Sequence, residues 1–468
     1  MIPSAAVQAW QGGRDGGRGG RLGCRPVRGR AAGKKGALLL GRLVDARTSV
    51  LRRLSYRRGD EVGFGRFLGN ENVTVEAIFA AEAASLTERV AGLDVVAIQD
   101  TSELSFGRLS GGRRGLGPVA FGSGRGLLLH PVLVLDASGG AVLGLAHGEV
   151  WTRAVSARAD YQAQPIEEKE SYRWLAGGAA AKAVLAKARR ITLIADRESD
   201  IYEAWVRLPS KQCRLLARAC RDRMLVGGGR LFEAAAAWPV AERIALELPA
   251  APGRPARRAK LALRHGAVAI KRPKNCSDKQ APSQLPLWLV EALEEDPPTD
   301  REPLHWRLLV SHPVTTAETA RGIVELYRLR WHIEQLFRTL KLQGLDIEAS
   351  QVDSPAPLTK LVALATIAAA RIMQLVAARD GSSRPALDAI DPDLLPLVHR
   401  LHRKLEGATV AQTNRHPPGS LAWLAWIIAR LGGWKGYPSE RPPGPITMHH
   451  GWIRFQHYAE AWRLLGDV

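Results

Sequence analysis

The chain of 468 residues carries 66 Lys and Arg against 46 Asp and Glu, which gives a formal net charge of +20. Its hydrophobic content of 46% is enough for two or three domains with a sizeable core, so a fibrous or wholly disordered protein is excluded. A positive charge of this size favours an anionic polymer as partner, with nucleic acid preferred to a membrane surface.

Signals for membrane insertion or secretion are weak. The most apolar helical stretch, residues 361–370, is ten residues long, whereas a membrane span needs about 20. Residues 1–30 contain repeated Gly and Arg and lack the apolar segment of a signal peptide. The four cysteines have no CxxC spacing, which argues against a disulfide framework and a zinc finger. We therefore expect a cytoplasmic protein with no membrane partner.

The first part of the chain is strongly basic. Residues 1–68 hold 15 Lys or Arg against four acidic residues, with a Gly-rich run between positions 12 and 20. We expect residues 1–70 to be a DNA-binding region, divergent or partly disordered, and a plain disordered tail is the alternative. Normal composition begins at Asn70, and Thr74 is positioned to cap a following helix.

Strand and helix patterns then alternate as in an α/β protein. Two predicted strands are joined by the turn-rich segment Asp136–Gly140, which indicates a hairpin. The order of the remaining elements predicts an α/β fold. The predicted strands are Val95–Gln99, Leu127–Leu135, Ala141–Leu145 and Ile191–Ala195, and the predicted helices cover residues 174–185 and Ile201–Val206.

Residues 213–310 have a different pattern, with short β-like runs separated by Gly, Pro and basic turns. This pattern predicts a β-rich insertion with an acidic loop at Glu291–Asp300 and a last strand at Leu304–Ser311. A single helix over Tyr327–Lys341 and a second, apolar helix over Leu358–Ala378 follow. The remaining chain is Pro-rich and then helical at Leu421–Leu431, which is typical of a separate domain for subunit contacts.

The helix predicted over residues 327–341 combines an apolar side with an unusual polar side. At about 100° per residue, Tyr327, Arg330, Glu334 and Lys341 fall within an arc of roughly 60°. A carboxylate beside a phenol and two cations suits a site for a metal ion and phosphate groups.

Two aspartates upstream can complete such a site. Asp100 ends the strand Val95–Gln99, and Asp196 ends the strand Ile191–Ala195. Strand ends are where sites gather in open α/β sheets, so these carboxylates and Glu334 would form an oxygen-rich pocket suited to Mg²⁺. Each acid alone is more often a turn, cap or solvated residue, and the joint pattern carries the prediction.

With these residues the chain resembles a known family. The segments Asp100-Thr101 and Asp196-Arg-Glu-Ser-Asp200 and the spacing YxxRxxxExxxxxxK are similar to those of DDE cut-and-paste transposases of bacterial insertion sequences, in the IS-four, Tn-five-like branch. The resemblance runs from about residue 66 to residue 433. It implies an RNase H-like catalytic domain over 71–380, interrupted by the β-rich insertion at about 213–310, and a helical C-terminal dimerisation domain over 381–468.

The resemblance also implies roles for individual residues. Asp100, Asp196 and Glu334 would be the catalytic, metal-binding triad for two Mg²⁺ ions, with Mn²⁺ able to substitute. The resemblance implies DNA contacts for Tyr327, Arg330, Lys341, Trp306, Arg197 and Arg218. Trp306 would stack on a base flipped out of the duplex, and the alternative for this residue is a Trp packed at a strand edge.

The implied activity is transposition by end nicking, hairpin formation and strand transfer. The implied partners are transposon inverted-repeat ends and target DNA, bound by a homodimer. Residues 1–65 depart from the family's acidic and apolar helical pattern. Two alternatives therefore stay open: a catalytically silent, DNA-binding or inhibitory derivative without end recognition, and a junction or repair nuclease with the same core.

Overall fold

The computed structural model describes residues 30–45, 48–107, 115–119, 124–153, 164–248, 255–276, 278–342, 345–437 and 439–465. The Gly-rich run at 12–20 lies outside these ranges. The first described helices are α1 (Arg30–Asp45), α2 (Leu51–Leu54), α3 (Arg58–Gly69) and α4 (Val75–Arg89). Leu39, Leu43 and Phe64 are fully buried, so part of the basic N-terminal region is packed. Thr74 caps α4 as predicted, because its hydroxyl accepts from the amide of Ala77.

The central sheet begins with the predicted strands. Seven strands and two α-helices follow one another in the described residues of this part of the chain. They are β1 (Asp94–Gln99), β2 (Ser102–Ser105), β3 (Gly117–Val119), β4 (Gly124–Asp136), β5 (Val142–Trp151), α5 (Arg173–Val184), β6 (Arg190–Ala195), α6 (Tyr202–Arg207) and β7 (Cys213–Arg218). Strands β4 and β5 form the predicted antiparallel hairpin. Strand β1 is antiparallel to β4 and parallel to β6, and β6 is parallel to β7. The α/β prediction is confirmed as a mixed α/β fold with a large mixed sheet.

The β-rich segment continues the same sheet. Its elements are α7 (Leu231–Ala237), β8 (Glu242–Leu248), β9 (Arg257–Lys271), β10 (Gln284–Glu295) and β11 (His305–Val310). Strand β11 pairs with β7, and β10, β9 and β8 follow it outward. Among the described residues, the sheet therefore has eleven strands.

Two predictions in this segment are wrong. The pattern predicts short β-like runs separated by turns, but β9 is continuous over 15 residues. Polar residues in the middle of β9 find partners: Arg264 Nε donates to the carbonyl oxygen of Trp238, and His265 Nδ1 lies 3.0 Å from the carbonyl oxygen of Val314.

The second error concerns the acidic loop, which begins inside β10. Glu291 is 1% exposed and Glu294 is 5% exposed. Arg307 lies 3.1 Å from the carboxylate of Glu291, and Arg257 pairs with Glu294. Cationic partners on neighbouring strands make burial of these carboxylates possible, and such cross-strand pairs are not visible in a local run of sequence.

The single helix predicted over residues 327–341 is two helices, α8 (Ala317–Arg328) and α9 (Trp331–Lys341). At the junction the backbone hydrogen bonds tighten: the amide of Arg330 donates to Tyr327, and that of Ile333 donates to Arg330. This i to i−3 pattern is that of a 3₁₀ turn. The arc of roughly 60° assumed one straight helix, which this turn interrupts, although Arg330 still contacts Glu334.

Helix α10 (Pro355–Ala378) is the central helix of the structure. It packs against β5 and against helices α1, α3, α4 and α9, as well as the C-terminal helices α12 (Leu421–Leu431) and α13 (Pro445–Leu465). A further C-terminal helix, α11 (Leu395–Leu405), packs on α12. By length and composition α10 could cross a membrane, but 83% of its apolar window is buried inside the protein. The helix predicted over Leu358–Ala378 is confirmed and begins three residues earlier, at Pro355.

Candidate active site

Asp100 directly follows β1, at the end of the strand that lies beside β6. Its Oδ1 accepts a hydrogen bond of 2.8 Å from the amide of Thr101. Burial raises the pKa of Asp100 from 3.8 to about 6, and the nearby carboxylates of Asp196 and Glu334 act in the same direction.

Asp196 directly follows β6, the parallel neighbour of β1. Its Oδ1 accepts a hydrogen bond of 3.2 Å from the hydroxyl of Tyr327 at the end of α8. Burial and the charge of Asp196 raise the pKa of Tyr327 above its usual value. The phenol therefore stays protonated at neutral pH and serves as a hydrogen-bond donor.

Arg330 connects the helices to the strand ends. Its Nη1 donates to Asp100 Oδ2 at 3.1 Å, and its Nη2 donates to Glu334 on the first turn of α9. Burial lowers the pKa of the Arg330 guanidinium, but Tyr327 and the three carboxylates outweigh that effect and raise it. The Nε of Arg330 is buried and has no hydrogen-bond partner among the described residues.

The donor set suits a hard divalent cation, because Asp100, Asp196 and Glu334 offer only carboxylate oxygens. Their arrangement in this structure does not yet form an ion site. Within the described ranges, no group of three or more His, Cys, Asp or Glu side chains is placed to hold a metal ion. The guanidinium of Arg330 contacts the carboxylates of Asp100 and Glu334 instead. Arg330 would have to release at least one of them before both carboxylates could bind the same ion.

Trp306 lies on β11 and is 5% exposed. Its ring packs edge-on against Tyr327, with 5.3 Å between ring centroids. Trp306 also lines a cavity of about 360 Å³ whose wall includes Trp331. Trp331 is 39% exposed, and the sequence analysis missed it although it stands in the same predicted polar helix.

Of the remaining predicted cations, Arg218 and Arg197 are near Asp196, whereas the acids that act on Lys341 are Glu348 and Glu103. Arg218 ends β7, donates to the carbonyl oxygen of His305 at 2.8 Å, and has its pKa lowered by burial and by Arg197. Tyr327 and Asp196 act on the pKa of Arg218 in the opposite direction. Lys341 ends α9, and burial lowers the pKa of its ammonium group.

Part of the chain matches a known protein family. Residues 253–370 match the family model described as the transposase DDE domain. The match covers 118 residues (370 − 253 + 1), about a quarter of the chain, and supports a DDE transposase, a class of DNA phosphoryl-transfer enzyme. The segment that matches the DDE domain contains Trp306, Tyr327, Arg330, Glu334 and Lys341. It does not include Asp100, Asp196, Arg197 or Arg218.

One solved structure similar to this chain is the piggyBac transposase synaptic complex with hairpin DNA. The identity is 10%, and the match covers 94% of this chain and 76% of that chain with a TM-score of 0.37. At that score the likeness carries no argument about this chain.

Beside the DDE-domain segment, the structure reveals polar partners of Thr101, the residue after Asp100, that the sequence analysis did not find. The hydroxyl of Thr101 lies 2.9 Å from Nδ1 of His130, a fully buried residue on β4. Arg173 Nε donates to the same hydroxyl at 2.8 Å. These residues come from three separate elements, and no spacing in the sequence relates them.

Proposed function

We propose that this chain is a metal-dependent transposase of the IS-four, Tn-five-like branch with an RNase H-like core. The observation that carries the proposal is that Tyr327 and Arg330, at the junction of α8 and α9, contact all three acids. Asp100 and Asp196 end parallel neighbouring strands, and both are linked to the helix pair of the DDE-domain segment through Arg330 and Tyr327. The strand order β5-β4-β1-β6-β7 supports the proposed core.

In this proposal Asp100, Asp196 and Glu334 hold two Mg²⁺ ions, with Mn²⁺ as a substitute. The ions would polarise the attacking oxygen and stabilise the leaving oxygen of a phosphate diester. Arg330 is the guanidinium nearest to the carboxylates, and its planar donor group suits phosphate oxygens. A scissile phosphate would draw Arg330 away from Asp100 or Glu334 and so free carboxylate oxygens for metal.

Other side chains would position the DNA strand. Tyr327 is a protonated phenol beside Asp196 and can donate one hydrogen bond. Arg218, Arg197 and Lys341 supply positive charge around the site. Steps that a transposase of this branch would perform are end nicking, hairpin formation and strand transfer, and catalysis would come from positioning and charge.

The cavity beside Trp306 supports a place for an unstacked base. Trp306 is too buried to offer a whole ring face, because it packs against Tyr327. Trp331 lines the same cavity and is partly exposed. A base entering the cavity would therefore meet both indoles, and base–indole stacking is favourable by about 1–3 kcal/mol.

We further propose that the protein acts as a homodimer on inverted-repeat ends and target DNA. The basic N-terminal region, residues 1–70, would contact DNA, and the helical region 381–468 would contact the second subunit. Leu464 and Leu465 near the end of α13 are 85% and 71% exposed, which gives that helix apolar side chains for such a contact. A cytoplasmic, nucleoid-associated location follows from this role.

The test uses purified full-length chain and a duplex carrying the inverted repeat that flanks its reading frame. With Mg²⁺ the native protein should nick and join this duplex, and Asp196→Ala should bind it without cleavage. Asp222→Ala, which removes a carboxylate in the β-rich segment, is the control and should cleave. Cleavage by Asp196→Ala at the native rate would refute the proposed triad.

The same experiment separates the alternatives. Sequence-indifferent, salt-sensitive binding without cleavage by the native chain would favour the catalytically silent, inhibitory derivative. Cleavage of branched DNA in preference to inverted-repeat ends would favour a junction nuclease.

A further inference from the structure

Arg173 is the first residue of α5 and lies between the two strand ends that carry the aspartates. Its side chain is 9% exposed. Nε donates to the hydroxyl of Thr101 at 2.8 Å, and Nη2 donates to the carboxylate of Glu198 at 2.6 Å. Nη1 donates to the carbonyl oxygen of Glu170 at 2.9 Å. All three nitrogens of one guanidinium are therefore engaged.

The two side-chain partners belong to the segments that follow β1 and β6. Thr101 is the residue after Asp100, and Glu198 is two residues after Asp196, in the 3₁₀ turn Arg197–Ser199. The side chain of Arg173 therefore connects the segment that follows β1 with the segment that follows β6. A rigid planar guanidinium fixes the distance between its acceptors.

The Thr101 side of this link is anchored in the core. The Thr101 hydroxyl is also in contact with Nδ1 of His130, and Nε2 of His130 lies 3.3 Å from Oε1 of Gln99. Burial, followed by the charge of Arg173, lowers the pKa of His130 well below its usual value, so this imidazole is neutral. Helix α5 approaches this group through Gly177, where a Cβ would lie 2.8 Å from Oε1 of Gln99.

Stability alone does not explain why an arginine occupies this place. The side chain of Glu198 is 68% exposed, so water can solvate it if Arg173 is removed. Thr101 would keep its contact with His130. Removal of Arg173 therefore leaves no uncompensated buried charge, and we expect only a small loss of folding free energy.

We propose that Arg173 is a positioning residue that sets the distance between Asp100 and Asp196. The inference rests on the proposed function, since it matters only if the two carboxylates share metal ions. Arg173 touches neither carboxylate and acts through Thr101 and Glu198. Residues that orient metal ligands in this way change metal affinity or activity by about 10- to 100-fold when they are removed.

The test measures Mn²⁺ binding by electron paramagnetic resonance in the full-length protein without DNA. Arg173→Ala should weaken Mn²⁺ binding by about 10- to 100-fold, with little change in thermal stability or in gel-shift affinity for DNA. The control is Arg207→Ala. Arg207 also links two segments, through Glu167 at 2.6 Å and Asp278 at 3.1 Å, but neither segment carries a predicted ligand.

Substitution of the partners shows whether Arg173 acts through them. Thr101→Val and Glu198→Ala should each weaken Mn²⁺ binding, and neither should weaken it further when Arg173 is already Ala. Thr101→Ser keeps the hydroxyl and should retain native affinity. Glu198→Gln keeps an acceptor for Nη2 and should lose less affinity than Glu198→Ala.

The outcomes are distinct. Native Mn²⁺ affinity in Arg173→Ala would overturn the inference and leave the proposed function standing. A loss of DNA affinity with unchanged Mn²⁺ affinity would also overturn it and make Arg173 a DNA contact. If Asp100→Asn does not reduce Mn²⁺ binding by the native chain, the proposed metal site fails and the inference fails with it.

Discussion

Arg330 donates a hydrogen bond of 3.1 Å from Nη1 to Oδ2 of Asp100. The same guanidinium contacts Glu334, so a monovalent cation lies between two of the proposed metal ligands. The pKa of Asp100 is nevertheless raised, because burial outweighs the effect of Arg330. The site therefore holds carboxylates that one guanidinium does not fully compensate.

Asp100 should make the fold less stable at neutral pH than in mild acid. Its pKa is raised from 3.8 to about 6, so between these values the folded state binds more protons than the unfolded state. Protonation of Asp100 stabilises the folded state fully below about pH 4, and this stabilisation is lost as the pH rises through 6. The free energy of unfolding falls by about 3 kcal/mol over this range.

Asp100→Asn should consequently increase the free energy of unfolding in urea, with EDTA present, by about 2–3 kcal/mol at pH 7.5 and much less at pH 4.5. Asp94 is the matched control. A hydrogen bond from Arg189 lowers the pKa of Asp94, so Asp94→Asn should destabilise the protein at pH 7.5. An equal effect of Asp100→Asn at both pH values would contradict the prediction.

Replacement of Arg330 should separate metal binding from DNA cleavage. Arg330→Gln removes the cation that competes for Asp100 and Glu334, so Mn²⁺ should bind about tenfold more tightly in the absence of DNA. Cleavage of DNA ends should fall by about 10²–10³, as expected for loss of a charged donor at a reacting phosphate. Calorimetric titration with Mn²⁺ and a single-turnover cleavage assay would measure the two effects.

Arg321→Gln is the control for that experiment, because Arg321 lies on α8 outside the proposed site and pairs with Glu242. It should leave both quantities unchanged. Weaker Mn²⁺ binding by Arg330→Gln would mean that Arg330 orders the carboxylates and does not compete for them.

Trp331 should contribute to base stacking and should contribute less than Trp306 to stability. Its side chain is 39% exposed, so Trp331→Ala should lower the melting temperature less than Trp306→Ala does. It should reduce stacking of a flipped base by about 1–3 kcal/mol, read as increased fluorescence of 2-aminopurine at that position. Trp306→Ala is expected to cost about 3–5 kcal/mol of stability, since the residue is buried.

Tyr458→Ala removes an aromatic ring that is 49% exposed on α13, far along the chain from the cavity, and serves as the control for Trp331. If both variants raise the fluorescence equally, the base does not enter the cavity of Trp306 and Trp331.

Lys360 should hold the N-terminal helices to the rest of the protein. Its Nζ donates to the carbonyl oxygens of Leu68 at 3.0 Å and Asn70 at 2.8 Å. Lys360→Met should cost about 1–3 kcal/mol, because it removes the donor to a buried carbonyl oxygen. Limited proteolysis should then cut within residues 46–70 before it cuts elsewhere.

Lys182→Met is the matched variant, since Lys182 Nζ on α5 donates to the carbonyl oxygen of Leu208, the residue after α6, at 2.6 Å. It should not expose the N-terminal helices. Equal resistance of Lys360→Met and the native chain to proteolysis would show that apolar contacts alone hold these helices.

The sequence predicted those parts of the fold and the site that depend on a local pattern of residues. Apolar runs ending in Asp100 and Asp196 identified β1 and β6, and the turn at residues 136–140 identified the β4–β5 hairpin. The tight turn before Arg330 was not predictable, because its helical dihedral angles leave the apolar periodicity nearly unchanged. Arg173 and His130 escaped detection for another reason: each is a single polar residue whose partners lie in other elements.

The position of α10 in the middle of the structure has a consequence for synthesis on the ribosome. Lys360 on α10 and its partner Leu68 are 292 residues apart in the chain. At about 5–20 residues per second, the N-terminal helices emerge on the order of 15–60 s before the helix that covers them. During that interval their apolar side chains are exposed, so we expect chaperone demand during translation to concentrate on nascent chains that have not yet reached α10.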